Sequence, residues 1–167
     1  MNYMQIDKTS ISNGLGFRVV LWVSGCTLQC KGCHNPQAQD FNAGQPFDEK
    51  AKEFLFEQLS KPYIKGITFS GGHPLEEESI NEIYVLCKEI KDKYPTKDIW
   101  LYTGYKYDFI ANQKILDTIA LCDVIVDGPY IEEQRDVTLA FRGSRNQRLI
   151  DVKETIKTEK IITLQID

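Results

Sequence analysis

No run in this 167-residue chain approaches the roughly 20 apolar residues that a membrane-spanning helix requires. The N-terminus, from Met1 to Asp7, has no basic stretch followed by an apolar one, so no secretory leader is expected and a cytoplasmic location is. Positive charge is not in excess: the formal net charge is −4, which removes the electrostatic basis for tracking nucleic acid phosphates. Internal repeats and low-complexity segments are missing too. The chain is also too short for a complete eight-stranded α/β barrel, which runs to about 250 residues.

What is present is ordinary globular composition, 42% hydrophobic and 26% charged, enough for one domain with a real core. Five cysteines without a leader favour metal or redox chemistry over a disulfide framework. Cys87 falls on the apolar face of an expected helix and Cys122 at the start of an expected strand, so both read as small buried hydrophobes. The other three, Cys26, Cys30 and Cys33, form a C-x3-C-x2-C run with no fourth cysteine nearby. A four-iron cluster normally takes four thiolates, so three local ones leave an iron open to a small molecule.

Strand and helix signals alternate along the chain. Phe17–Val23 is β-branched and aromatic, and Ser24-Gly25 ends it, which places the cysteines just beyond a strand's carboxyl end. In α/β sheets that is where ligands bind. Asp48 is expected to cap a helix reaching about Ser60, with Ala51, Phe54, Leu55 and Leu59 on one face. Gly66–Phe69 reads as a buried strand before Ser70-Gly71-Gly72. A second helix is expected to follow Pro74, using Ile80, Ile83, Tyr84, Cys87 and Ile90, with Glu76, Glu77 and Glu78 in its first turn and Tyr94-Pro95 at its end. Asp98–Thr103 and Val124–Val126 are further strands, and Asp108 is placed as the cap of a helix between them that uses Ile110, Ile115, Leu116 and Ile119. The segment 130–147 is loop-like, and two last strands are expected at Leu149–Val152 and Lys160–Ile166. These five or six strand-helix units predict an open, partial parallel (β/α) barrel with one side uncovered.

Four chemistries compete for the cysteine run. Structural zinc wants four ligands; His34 directly follows Cys33 and cannot easily join it on one ion, although Cys87 or Cys122 remains available as a fourth ligand. A ferredoxin-like carrier wants four cysteines at other spacings. A catalytic thiol needs fewer than three. A cluster with an open site uses all three.

C-x3-C-x2-C after one strand and Gly71-Gly72 after the next resemble the radical S-adenosylmethionine superfamily. Asn13–Gly16, Gly25-Cys26, Cys33–Asn35, Ser70–Leu75, Trp100–Tyr105, Val126–Gly128 and Arg142–Gln147 narrow this. In that order they resemble the family that activates anaerobic ribonucleoside-triphosphate reductase, a group of glycyl-radical-enzyme activases. The resemblance implies a single domain over 1–167, with a core of about 13–152 and a tail at 153–167. It implies an oxidoreductase in which Cys26, Cys30 and Cys33 hold a [4Fe-4S] cluster and S-adenosyl-L-methionine chelates the open iron. An external, flavodoxin-like donor would supply the electron that breaks the sulfonium bond. The resulting 5′-deoxyadenosyl radical would take a hydrogen from a glycine of the large reductase subunit.

By the same resemblance Gly32, Cys33, His34, Gly71 and Gly72 would contact S-adenosylmethionine. From the residues alone, Gly71-Gly72 is equally a tight turn that lets backbone approach a ligand closely. The chain departs from many superfamily members in having Gly32 in place of an aromatic before the third cysteine and His73 in place of glutamate after the glycines. His73, beside Pro74, reads as a solvated loop histidine. Asp127 reads either as an active-site carboxylate or as an Asp-Gly turn. Arg135, Arg142, Arg145 and Arg148 read either as a partner contact or as a solvated face. Three rival functions stand beside the main one: activation of another glycyl radical enzyme such as a formate lyase, chemistry on a small heterocycle, and a non-catalytic, metal-stabilised interaction module.

Overall fold

The computed structural model describes residues 1–166; residue 167, the end of the expected tail, lies outside the described residues. The chain begins with β1 (Asn2–Ser10), β2 (Arg18–Val23) and the short β3 (Gln45–Pro46). Three helix-strand repeats follow: α1 (Glu49–Leu59) to β4 (Gly66–Gly71), α2 (Ile80–Lys93) to β5 (Asp98–Tyr102), and α3 (Gln113–Ala120) to β6 (Val124–Asp127). The chain closes with β7 (Arg148–Asp151) and α4 (Val152–Thr158). All the strands share one sheet in the order β3-β1-β2-β4-β5-β6-β7. Among the described residues no helix is long and apolar enough to cross a membrane.

The architecture is α/β, but the sheet is mixed rather than wholly parallel. β2, β4, β5 and β6 run parallel, because a helix returns the chain between each successive pair. β1 and β7 run antiparallel to their neighbours at either side of that block. No helix intervenes between β1 and β2, and only loop and a single short turn lie between β6 and β7. Loops without a crossover reverse the chain, and antiparallel pairing follows.

The register sorts the side chains onto two faces. Leu21, Phe69, Leu101, Ile125 and Ile150 align across β2-β4-β5-β6-β7 and are fully buried. They form one core with Leu55 and Leu59 of α1, Ile83, Cys87 and Ile90 of α2 and Ile119 of α3. The opposite row is Val20, Thr68, Trp100 and Val124, and among the described residues no helix residue belongs to the apolar cluster on that face. Trp100, Val124, Val126 and Leu149 form a smaller cluster there, with Phe141, Leu164 and Ile166 folded over it. Arg18 points into this second layer with no exposed surface. It donates to Thr68 Oγ1 at 2.9 Å, to the Ile67 carbonyl at 2.8 Å and to the Leu15 carbonyl at 2.9 Å, and pairs with Asp98 at 2.6 Å.

Several elements fall elsewhere than their local sequence suggests. β1 has no continuous apolar face and holds its place by pairing with β2 and β3, so it escapes a periodicity argument. The second helix begins at Ile80, not after Pro74, because residues 73–79 wind through turns closed by the Ser79 and Ile80 amides on the Glu76 carbonyl. The third helix is capped by Asn112, whose Oδ1 accepts from the Ile115 amide. Asp108 sits instead in the turn Tyr107–Phe109 and pairs with Arg148. Asp151 caps α4, which begins at Val152, one residue inside the expected strand. Lys160–Ile166 is not a strand: its strand-type contact is the single bridge Thr163–Ile150.

Candidate functional site

Beyond the carboxyl end of β2 the chain makes a closed loop. The Gly25 amide donates to the Ala38 carbonyl at 2.7 Å and the Cys26 amide to the Gln39 carbonyl at 3.1 Å, so the segment carrying all three cysteines is fastened at its base. Within it, the Cys33 amide bonds the Cys30 carbonyl at 3.1 Å. Gly32 occupies the third position of that turn at φ +75°, which glycine enters freely. The turn thus sets the approach of Cys30 to Cys33.

Gly71 and Gly72, at the end of β4, lie directly against this loop. A Cβ on Gly72 would stand 2.5 Å from both the Ala38 and Gly25 carbonyl oxygens, and one on Gly71 would stand 2.5 Å from the Val23 backbone, at φ +106°. The Gly72 amide bonds the Val23 carbonyl and the His73 amide bonds the Gly25 carbonyl, each at 2.8 Å. The two glycines therefore let the β4 loop lie against the cysteine loop, which is a packing role as well as an open backbone.

His73 is not solvated; it is 1% exposed. Its Nε2 lies 2.7 Å from Thr103 Oγ1, just past β5, and its Nδ1 lies 3.0 Å from Glu76 Oε1, with its ring edge-on to Tyr105. Glu76, 4% exposed, also accepts from the Thr27 amide at 3.0 Å and from Thr27 Oγ1 at 2.8 Å. The ionised carboxylate only accepts, so Nδ1 carries the hydrogen, and in the neutral ring Nε2 accepts from the Thr103 hydroxyl. Glu76 is thus an internal anchor and not part of a helix's first turn, while Glu77 and Glu78 stay exposed. A sequence signal existed: Ser79 immediately precedes the apolar series Ile80, Ile83, Cys87, which places the helix start after the acidic run.

Burial pushes the Glu76 carboxyl up, but the hydrogen bonds from His73 and Thr27 outweigh it and hold it at about 2, below the ordinary 4.5. A carboxyl held lower when folded than when unfolded stabilises the fold above about pH 4.5 and ceases to do so as the pH falls toward 2. Acid titration of the metal-free protein is therefore expected to lose on the order of 2–3 kcal/mol across that interval through this group. Glu76→Gln should flatten that part of the curve. Native and variant curves of the same shape would contradict the assignment.

Cys26, Cys30, Cys33 and His34 line one cavity of about 440 Å³, together with Gly71, Gly72 and His73. It opens at the carboxyl ends of β2, β4 and β5, and Tyr102, Tyr130 and Arg142 contribute to its far walls. Gly32 is exposed and lies outside that lining. His34 stands against Tyr130 with ring centroids 4.6 Å apart. Asp127 does not face the cavity: it is fully buried, accepts from the Tyr107 amide, and binds Arg148 through both carboxylate oxygens at 3.0 and 2.6 Å. Arg148 thereby leaves the expected arginine face, and Arg142 is the member of that set on the cavity wall.

The donor set suits an iron-sulfur cluster. Burial pushes the Cys26 thiol up, while hydrogen bonds from the Leu28 and Gln29 backbones pull it down; the Asn35 amide donates to Cys33 Sγ at 3.4 Å. Backbone amides aimed at sulfur are what cluster thiolates require. Among the described residues, no group of three or more His, Cys, Asp or Glu converges as the ligands of a single ion. Cluster thiolates sit on separate irons, and three thiols spread around one cavity fit that wider arrangement. Cys87 and Cys122 are fully buried in the helix-side core; hydrogen bonding between them, and then burial, pushes the Cys87 thiol well up. Neither lines the cavity.

Residues 12–150 match the family described as a 4Fe-4S single cluster domain. The chain is 41% identical over 149 residues to a protein of Haemophilus influenzae, covering 88% of this chain and 96% of that one. It is 40% identical, with the same coverage, to one of Escherichia coli K12. It is 43% identical to one of Enterobacteria phage T4, covering 89% of this chain and 93% of the phage protein. All three relatives are named anaerobic ribonucleoside-triphosphate reductase-activating protein.

Proposed function

Since the chain belongs to the family of anaerobic ribonucleoside-triphosphate reductase-activating proteins, we propose that it generates a glycyl radical on the large subunit of such a reductase. In this reading it is an oxidoreductase that takes its electron from an external, flavodoxin-like donor. The supporting observation is the gathering of Cys26, Cys30, Cys33, His34, Gly71 and Gly72 on one cavity at the carboxyl ends of parallel strands. The three cysteines would hold a [4Fe-4S] cluster. When bound, that cluster supplies the electron for reductive cleavage of S-adenosyl-L-methionine.

The chain's own residues hold, orient and enclose. Backbone amides of the cysteine loop stabilise thiolate charge, and the fastened base of the loop holds the three cysteines at the cavity. Gly71 and Gly72 present bare backbone beside the cysteines, where the methionine end of S-adenosylmethionine would lie. The His34 and Tyr130 rings, tilted 48° to each other, both line the cavity and offer aromatic faces for its heterocycle. A volume near 440 Å³ is in the usual range for a small-molecule site. The helices of the three repeats all pack on one face of the sheet, which supports an open, partial barrel. Among the described residues the other face is covered by loop and tail residues such as Phe141, Leu164 and Ile166, leaving an approach for a segment of a large protein.

The deciding experiment is anaerobic electron paramagnetic resonance of the reconstituted protein mixed with dithionite, S-adenosylmethionine and an anaerobic ribonucleoside-triphosphate reductase. A glycyl doublet on the reductase is expected. Silence there with a signal on a formate lyase would reassign the partner, and binding without methionine release would leave a non-catalytic module.

A further inference from the structure

We propose that Glu76 and His73 are positioning residues that pin the cysteine loop to the end of β5, and that the Glu76 carboxylate sets the charge environment of the cluster. The inference rests on the cluster assignment above and adds to it two residues outside the cysteine ligand set, of which His73 also borders the cavity and Glu76 does not.

Three separate segments meet at this couple. Thr27 belongs to the cysteine loop, one residue after Cys26; His73 and Glu76 belong to the turns between β4 and α2; Thr103 follows β5. Thr27 donates twice to the Glu76 carboxylate, His73 donates to it from the other side, and Thr103 holds the far edge of the ring. The Thr103 hydroxyl is itself fixed, since it accepts from the Tyr105 amide at 3.0 Å. Thr27 and His73 donate directly to one carboxylate and Thr103 donates to the ring behind it, so this hydrogen-bonded set has a single sense.

The geometry exceeds what packing alone asks for. Glu76 and His73 are both nearly inaccessible, and a buried carboxylate persists only where hydrogen bonds replace its water. Thr27, by contrast, is an exposed residue, and its amide and hydroxyl would be well served by solvent. Their commitment to Glu76 orders the stretch of loop between the first and second cysteines. The buried carboxylate, bonded to the residue next to Cys26, also places one full negative charge beside the cysteine loop, where burial weakens screening. A negative charge close to an iron-sulfur cluster disfavours its reduction.

Two measurements test this, and the first needs no cluster. In the metal-free protein, hydrogen exchange at the Thr27 amide should be slow, and Glu76→Ala should speed it by about tenfold or more, the weight of a lost hydrogen bond to a charged group. His73→Phe, which keeps a flat ring beside Tyr105, should speed it as well. His73→Asn should restore protection, because its amide nitrogen reaches the place of Nδ1. The second measurement is the midpoint potential and reduced-state resonance spectrum of the reconstituted protein. Glu76→Gln keeps the shape and removes the charge, so the potential should rise and the spectrum should change. Thr27→Val, at an exposed position, should alter the spectrum without disturbing the fold.

Equal exchange in native protein and Glu76→Ala would overturn the pinning. A native potential and spectrum in loaded Glu76→Gln would overturn the charge effect. Failure of the native protein itself to take up iron would refute the cluster assignment instead, while the exchange comparison would still decide whether Glu76 pins the loop.

Discussion

Cys30→Ala is expected to abolish both iron retention and reductive cleavage of S-adenosylmethionine. Cys30 and Cys33 are the two thiols brought together by the turn at Gly32, and Cys26 stands at the fastened base of the same loop. Removing Cys30 leaves two thiols on the cavity wall and none close enough to replace the third, since Cys87 and Cys122 are sealed in the helix-side core. Anaerobically reconstituted native protein should be brown and contain about four irons per chain; Cys30→Ala should hold well under one. Neither methionine nor 5′-deoxyadenosine should form with dithionite. Cys87→Ala is the matched control. It removes a thiol from the core, costing on the order of 1–2 kcal/mol through the small cavity it leaves, and should keep the iron. A Cys30→Ala protein that stays brown and active would remove the basis for the proposed function.

The second large effect concerns stability and lies at the opposite end of β2. Arg18→Ala is expected to destabilise the fold by about 3–5 kcal/mol, which for a chain of this size lowers the melting temperature by roughly 10 °C. Arg18 has no exposed surface, and burial pulls its guanidinium below the ordinary value, with Asp98 opposing. What keeps it charged is a complete set of partners: Thr68, two backbone carbonyls, Asp98, and the Trp100 ring 5.3 Å away. Alanine would leave those acceptors unpaired inside the sheet's second layer. Lysine should recover less than half of the loss, because a single ammonium cannot span four acceptors arranged around a guanidinium. Thermal melts of the three proteins decide the matter; a shift under about 2 °C for Arg18→Ala would show that the buried arginine contributes almost nothing.

Much of the fold was readable because its signals are local. β2, β4, β5 and β6 are short β-branched or aromatic runs, buried on both faces, and each ends in a turn residue. Asp48 caps α1 as expected, its side chain accepting from the Ala51 amide. The misplaced elements share a cause. β1 owes its place to its partners, and Asp108 was drawn from a cap into an ion pair with an arginine forty residues away. His73 and Glu76 escape a local reading for the same reason: a histidine beside a proline looks solvated until Thr103 and Thr27 arrive from other segments.

The spacing of Cys26, Cys30 and Cys33, their position after a strand, and the ordered motifs through Gln147 were enough by themselves to indicate an iron-sulfur cluster and the family. Such information is carried by residues close together in the chain, where spacing fixes what a loop can hold. The tertiary structure alone decided which polar groups are buried and with whom: Glu76 beneath Thr27, Asp127 against Arg148, Arg18 under Trp100. Those pairings join segments tens of residues apart, and a buried charge takes its meaning from the partner that replaces its water, which no local pattern records.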